Sequence, residues 1–162
     1  FRVYTSHDVI GVEFGGAAKN IIALAAGICH GAGYGDNTMA ALITRGLEEI
    51  IRLGIKLGAQ RSTFSGLSGM GDLVVTAFSK HSRNRQVGNR IGRGEKLDEI
   101  LSDMEMVAEG VETTRSMHDL SNKENVEMPI CEQIYRVLFE GVPPRDAILQ
   151  LMGRELVGEH SI

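Results

Sequence analysis

GGAAKNIIALAAG, residues 15–27, lies inside a longer apolar run from Val9 to Ile28 in which only Glu13, Lys19 and Asn20 are strongly polar. The run is long enough to raise the question of a bilayer span. Two charges and an amide interrupt it, and its glycines and alanines contribute little hydrophobicity, so the expected reading is a helix buried at the centre of a soluble domain, with no membrane span. Asp8 is placed to cap that helix, which should run to about Cys29. Lys19 then becomes the residue to explain. A lysine in an apolar helix ordinarily carries its ammonium out to water along its own stem. The other reading is a partly desolvated amine that exchanges protons with a bound molecule. Gly15 and Gly16 favour the second reading, because each glycine inside a helix costs roughly 1 kcal/mol against alanine. Two in succession imply that another backbone or a ligand comes close.

Around this stretch the composition is that of an ordinary globular chain. Its 162 residues are 43% hydrophobic and 23% charged, with a net charge of -4. That length suits one domain with its own core, and the acidic balance gives no general reason to expect nucleic acid or an anionic membrane. Cys29 and Cys131 are far apart and form no CxxC pair, and the five histidines show no HxH or HxxxH spacing, so no metal site is expected and two reduced cysteines in a cytoplasmic protein are.

Helical signals follow one another along the chain. Asn37 or Thr38 should start a second helix whose apolar residues Leu42, Ile43, Leu47, Ile50, Ile51 and Leu57 recur at helical spacing, with Gly58 ending it. DLVVTAFS, from Asp72, could be helix or strand by propensity. Ser82 should cap RNRQVGNRIGRG up to the glycines at 92 and 94, and short helices should follow at KLDEILSDM, after Glu109 or Gly110, after Pro129 and after Pro143–Pro144. FRVYTS, residues 1–6, reads as a strand, and an orphan one, since no other segment could pair with it. The expected architecture is one all-α domain over residues 1–162, with a lone N-terminal strand whose sheet lies elsewhere. The tail beyond Gly158 should fray.

Three clusters could carry chemistry beside Lys19. The glycines of GAGYGD and GLSGMGD fail the strand–turn–helix context of a dinucleotide fingerprint and lack the lysine of a P-loop, so turns and caps are the ordinary reading. Asp72 directly follows the second cluster, where it could cap a helix, touch a substrate, or do both. SKHSRNRQVGNRIGRGEK, residues 79–96, sets Lys80, Arg83, Arg85, Arg90, Arg93 and Lys96 against the single acid Glu95. Ser82, Arg83 and Asn84 would form the cap and first turn of a helix, where free N–H groups, the positive dipole end and a guanidinium suit a phosphate. A solvated basic face is the plain alternative. RNA is disfavoured, since no aromatic interleaves the basic residues. Glu109 and Glu112 read as ordinary acids of a helix N-terminus.

Taken in order, VIGVEFGGAAKNIIALAAGICHGAGYGDNTMAALITRGLEEI, GLSGMGDLVVTAFSKHSRNRQVG and VAEGVETT resemble the bacterial-type NAD(P)-dependent glycerol-3-phosphate dehydrogenases, from Phe1 to about Met152. The resemblance covers the C-terminal half of that family, without its N-terminal Rossmann domain, and suggests a piece of a longer protein. It implies an all-helical domain similar to the C-terminal domain of 6-phosphogluconate dehydrogenase. It implies reversible NAD(P)H-dependent reduction of dihydroxyacetone phosphate to sn-glycerol 3-phosphate for phospholipid synthesis, in an enzyme family that is commonly dimeric. By matching motifs, Lys19 would be the catalytic proton donor and acceptor, and Asn20 a substrate contact. Asp72 would bind substrate and orient the lysine, with Thr76 in the same network. Ser82, Arg83 and Asn84 would hold the substrate phosphate. Arg83, Val107 and Glu109 would touch the NAD or NADP bound mainly by the other domain. Residues 1–162 alone would then be inactive. Two rival readings stand beside this one: a helical interaction module binding a phosphorylated partner or RNA through residues 80–96, and a related hydroxy-acid dehydrogenase domain.

Overall fold

The computed structural model describes residues 2–104 and 108–154. Nine α-helices follow one another among them: α1 Val9–Gly31, α2 Asp36–Lys56, α3 Arg61–Phe64, α4 Asp72–Phe78, α5 Arg83–Gly92, α6 Leu97–Ser102, α7 Glu109–Glu124, α8 Pro129–Phe139 and α9 Pro144–Met152. A π-helical turn, Leu67–Gly71, runs directly into α4. No strand forms among the described residues, and residues 2–6 are exposed and irregular. The expected strand at FRVYTS is thus corrected. Strand propensity there finds no neighbouring backbone to complete a ladder, so it produces no strand.

Helix α1 is the axis of the domain. Helices α2, α3, α4, α5, α7, α8 and α9 all pack on it, and its second half, from Asn20 to Cys29, is buried without a break. Its length and mean hydropathy of 1.4 would let it cross a membrane, but here its apolar surface is spent on neighbouring helices. The start is pinned by Asp8, whose carboxylate accepts from the N–H of Gly11 at 2.9 Å, the N–H of Gln60 at 2.9 Å and the Thr63 hydroxyl at 2.6 Å. The Thr63 hydroxyl, then the two backbone donors, hold this carboxyl below its ordinary range. One side chain therefore caps α1 and ties it to the start of α3.

The closest contact in the domain is between α1 and α5, which run parallel. Gly27 and Gly31 on α1 face Gly88 and Gly92 on α5. A Cβ on Gly27 would collide with the Arg85 carbonyl oxygen, one on Gly31 with that of Asn89, one on Gly88 with that of Leu24, and one on Gly92 with that of Ile28. Two G-x-x-x-G rows thus lie backbone against backbone. The glycines at 88 and 92 are an interface, and Gly92 as a helix stop tells only part of its role. This packing fixes the register of α5, so that its first turn lies beside the middle of α1.

Among the buried polar residues, Asp8, Glu49 and Asn84 each accept a backbone N–H. Glu49, on α2, is 2% exposed and accepts from the N–H groups of Ile130 at 2.7 Å and Cys131 at 3.2 Å, which caps α8 at its start. Burial outweighs these two donors and pushes its carboxyl up to about 7.

Two outcomes follow. Gly88→Ala should force α5 off α1 and lower the urea-unfolding free energy by about 1–3 kcal/mol, the usual range for overpacking a tight interface. Glu49, with a folded value of about 7 against 4.5 for a free carboxyl, contributes stability that is complete below the unfolded value and is lost as pH rises through the folded one. Unfolding free energy should therefore fall by on the order of 3 kcal/mol between about pH 4.5 and pH 8 relative to Glu49→Gln, whose side chain stays neutral.

Candidate functional site

Lys19 lies near the middle of α1, at the edge of the buried half, with its side chain 21% exposed. Its ammonium donates to Oδ2 of Asp72, whose side chain is 35% exposed. Asp72 reaches it because of the π-helical turn. Gly71 already has helical dihedrals, φ -61° and ψ -49°, so the chain enters α4 from a wound segment, and Asp72 caps no helix end. The capping role considered for it is absent, and its carboxylate is left for Lys19. An inserted π turn shifts the side chains that follow by a fraction of a turn, which is a common way to aim one at a site. Thr76, one turn later, donates its hydroxyl to the Asp72 carbonyl at 2.6 Å and lies 3.4 Å from Oδ1.

Beside this pair opens a cleft of about 320 Å³ lined by Asn20, Val75, Thr76, Ser79, His81, Ser82, Arg83, Asn84 and Glu109. Four helices contribute: α1 Asn20, α4 Val75 and Thr76, α5 Arg83 and Asn84, and α7 Glu109. Ser82 caps α5, its Oγ accepting from the Arg85 N–H at 3.3 Å. That leaves the first N–H groups of a ten-residue helix at the cleft, with its positive dipole end. Arg83 is exposed there and makes no ion pair among the described residues.

Asn84 has a second duty. It is 8% exposed, and its Oδ1 accepts from the Gly110 N–H at 2.8 Å, which caps α7 at its start. A Cβ on Gly110 would lie 2.8 Å from that oxygen and 2.9 Å from the Asn20 carbonyl oxygen. Helix α7 is therefore drawn down onto α1 and α5, bringing Glu109 to the cleft rim. With its oxygen accepting from Gly110, Asn84 still has both N–H₂ donors for a ligand in the cleft.

The structure thus gathers Lys19, Asn20, Asp72, Thr76, Ser82, Arg83, Asn84 and Glu109 around one cleft and its adjoining ion pair. Val107, the remaining expected contact, lies outside the described residues. Neither glycine before Lys19 is forced by a close neighbour. A Cβ on Gly15 would make ordinary contacts, 3.4 Å from the Ser68 carbonyl oxygen and 3.5 Å from the Phe64 ring, and a Cβ on Gly16 would meet nothing within 4 Å. Ser79 and His81 line the cleft although sequence reasoning assigned them nothing. Their position, three residues and one residue before the phosphate-type cap Ser82, was the available signal. Elsewhere, Arg90 is paired with Glu95 at 2.6 Å and Asp103 at 2.8 Å, so residues 80–96 do not form a continuous free cationic stripe. A larger concavity of about 500 Å³, between α7, α8 and α9, contains none of the expected residues.

A family model described as NAD-dependent glycerol-3-phosphate dehydrogenase C-terminus matches residues 8–149. The chain belongs to that family. It is 60% identical over 159 residues to glycerol-3-phosphate dehydrogenase [NAD(P)+] of Geobacter sp. strain M21, covering 98% of this chain and 48% of the relative. It is 62% identical over 154 residues to the enzyme of that name from Pelotomaculum thermopropionicum, covering 95% and 44%. Among solved structures, the glycerol-3-phosphate dehydrogenase of Coxiella burnetii superposes with a TM-score of 0.92 at 43% identity, over 95% of this chain and 47% of that one. The Saccharomyces cerevisiae enzyme gives 0.81 at 26% identity, over 91% and 43%. The chain therefore spans about half the length of the relatives it matches, and its all-helical fold is the C-terminal portion of theirs.

Proposed function

We propose that residues 1–162 form the substrate-binding and proton-transfer domain of an oxidoreductase that interconverts dihydroxyacetone phosphate and sn-glycerol 3-phosphate with NAD(P)H, in the cytoplasm, for phospholipid synthesis. The observation that carries the reading is the placement of an ion-paired lysine next to a residue of a cleft that is also lined by a capped helix N-terminus bearing an exposed arginine.

In this reading the phosphate sits at Ser82–Asn84. It takes the free N–H groups of α5, the Asn84 amide donors and the Arg83 guanidinium, whose planar fork suits a phosphate better than a point-charge ammonium does. The triose then extends toward Asn20 and Lys19. The C2 oxygen gains negative charge during reduction, and the Lys19 ammonium stabilises that charge and delivers its proton there. In oxidation the amine takes the proton back. Asp72 orients the amine, and Thr76 steadies Asp72.

NAD(P) fits these residues only at its reactive end. Asn20, Arg83 and Glu109 offer an amide, a guanidinium and a carboxylate at the cleft, and Gly16 leaves the surface of α1 open. No strand-to-helix phosphate cradle occurs among the described residues, so we assign the bulk of cofactor binding to a separate Rossmann domain. When bound, the cofactor supplies the hydride. Residues 1–162 by themselves hold the proton side of the reaction and should be inactive alone. The same family reading carries a homodimer as the expected assembly.

In the intact enzyme, Lys19→Met should lower kcat by several powers of ten with little change in KM, because it removes an interaction realised in the transition state. Near-normal turnover would overturn the assignment. Arg83→Ala should instead chiefly raise KM for the phosphorylated substrate, and an unchanged KM in steady-state assays would remove the clamp.

A further inference from the structure

His81 lines the cleft next to Arg83, yet the reading above gives it no task. It sits on the turn joining α4 to α5, and that turn is held at three points. The Ser82 N–H donates to the Ser79 carbonyl at 3.2 Å, the His81 N–H to the Ser79 hydroxyl oxygen at 3.2 Å, and the Gln86 side-chain amide to the Lys80 carbonyl at 2.8 Å. The backbone of His81 is therefore fixed by its own turn and by a side chain from α5. Its imidazole makes no hydrogen bond or ion pair among the described residues. Two other histidines have partners: His30 with Asn89 at 2.6 Å, and His118 with Glu132 at 2.9 Å.

We propose that His81 is a second, titratable cation of the anion cradle. The proposal rests on the phosphate site at Ser82–Asn84. Imidazole is the side-chain group whose charge changes near neutral pH, and a protonated ring at this position would add a positive charge to the cleft lining just before α5. The charged groups around it are Arg83 on α5, Lys80 on the same turn and Glu109 on α7, with the Lys19–Asp72 pair beyond Thr76. Guanidinium and ammonium groups ordinarily stay charged across the neutral range. Among the groups lining the cleft, a rise in anion affinity as pH falls would then come from His81 or from loss of charge on Glu109, and the two are separable by mutation.

The test uses sulfate as the probe, because its charge does not change in this range, whereas a phosphate ester titrates near pH 6. Sulfate is titrated into the protein at about pH 5.5 and about pH 8 while the amide resonances of Ser82, Arg83 and Asn84 are followed by NMR. The wild-type protein should bind sulfate roughly three- to fivefold more tightly at the lower pH, the scale of one exposed charge-assisted contact. His81→Asn should bind equally at both values, His81→Arg should bind tightly at both, and Glu109→Gln should keep the wild-type dependence. A pH-independent wild type, a His81→Asn variant that retains the dependence, or a Glu109→Gln variant that loses it would each overturn the role of His81. If neither sulfate nor sn-glycerol 3-phosphate moves those amides at either pH, the phosphate site itself is wrong, and this inference falls with it.

Discussion

The contact between the glycine rows of α1 and α5 sets the geometry on which the rest of this domain depends. Side chains at Gly27, Gly31, Gly88 and Gly92 would hold the two backbones apart, and their absence lets each helix rest on the carbonyl groups of the other. Close packing of this kind leaves little freedom to slide, because every atom is already in contact. Since α5 cannot shift along α1, its first turn is held beside Asn20 and one residue from Lys19. The start of α5 and an amine on another helix are thereby brought to one cleft and its edge by a feature centred about two to three turns away.

The charges at the cleft are arranged unevenly. Lys19 has a carboxylate partner in Asp72, reached through the π turn, while Arg83 has no acidic partner among the described residues and stands at the end of α5. A paired amine is oriented, and an unpaired guanidinium is available. This is the division of labour that a small phosphorylated substrate needs, with one end clamped and the other presented to a fixed proton donor. Asn84 links the two duties of the site, since the oxygen that caps α7 and the N–H₂ group left for a ligand belong to one amide. Loss of Asn84 would therefore disturb the placement of α7 together with the anion contact proposed for it.

Helix positions were largely legible in the chain because caps are local chemistry. Asp8 at α1, Ser82 at α5 and Pro129 and Pro144 at the starts of α8 and α9 all act through groups within a few residues of themselves. The readings that changed depend on something distant. FRVYTS has strand propensity but no neighbour to pair with. Asp72 followed glycines and looked like a cap, but the π turn had already wound the chain before it. Gly88 and Gly92 differ in no local respect from glycines that punctuate a helix, and their purpose appears only when α1 lies against them. Glu49 has the same character: no local signal singles it out, and only in the fold is it buried and holding the start of α8.

The sequence by itself determined an all-helical chain, a central apolar helix with one lysine in it, and a helix start suited to phosphate, because periodicity, capping and charge are properties of neighbouring residues. Only the tertiary structure decided that Lys19 pairs with Asp72, that Asn84 serves α7 as well as the cleft, and that His81 and Glu109 reach the same opening. Those facts are distances between segments remote in the chain, and they are set by how closely backbones can approach.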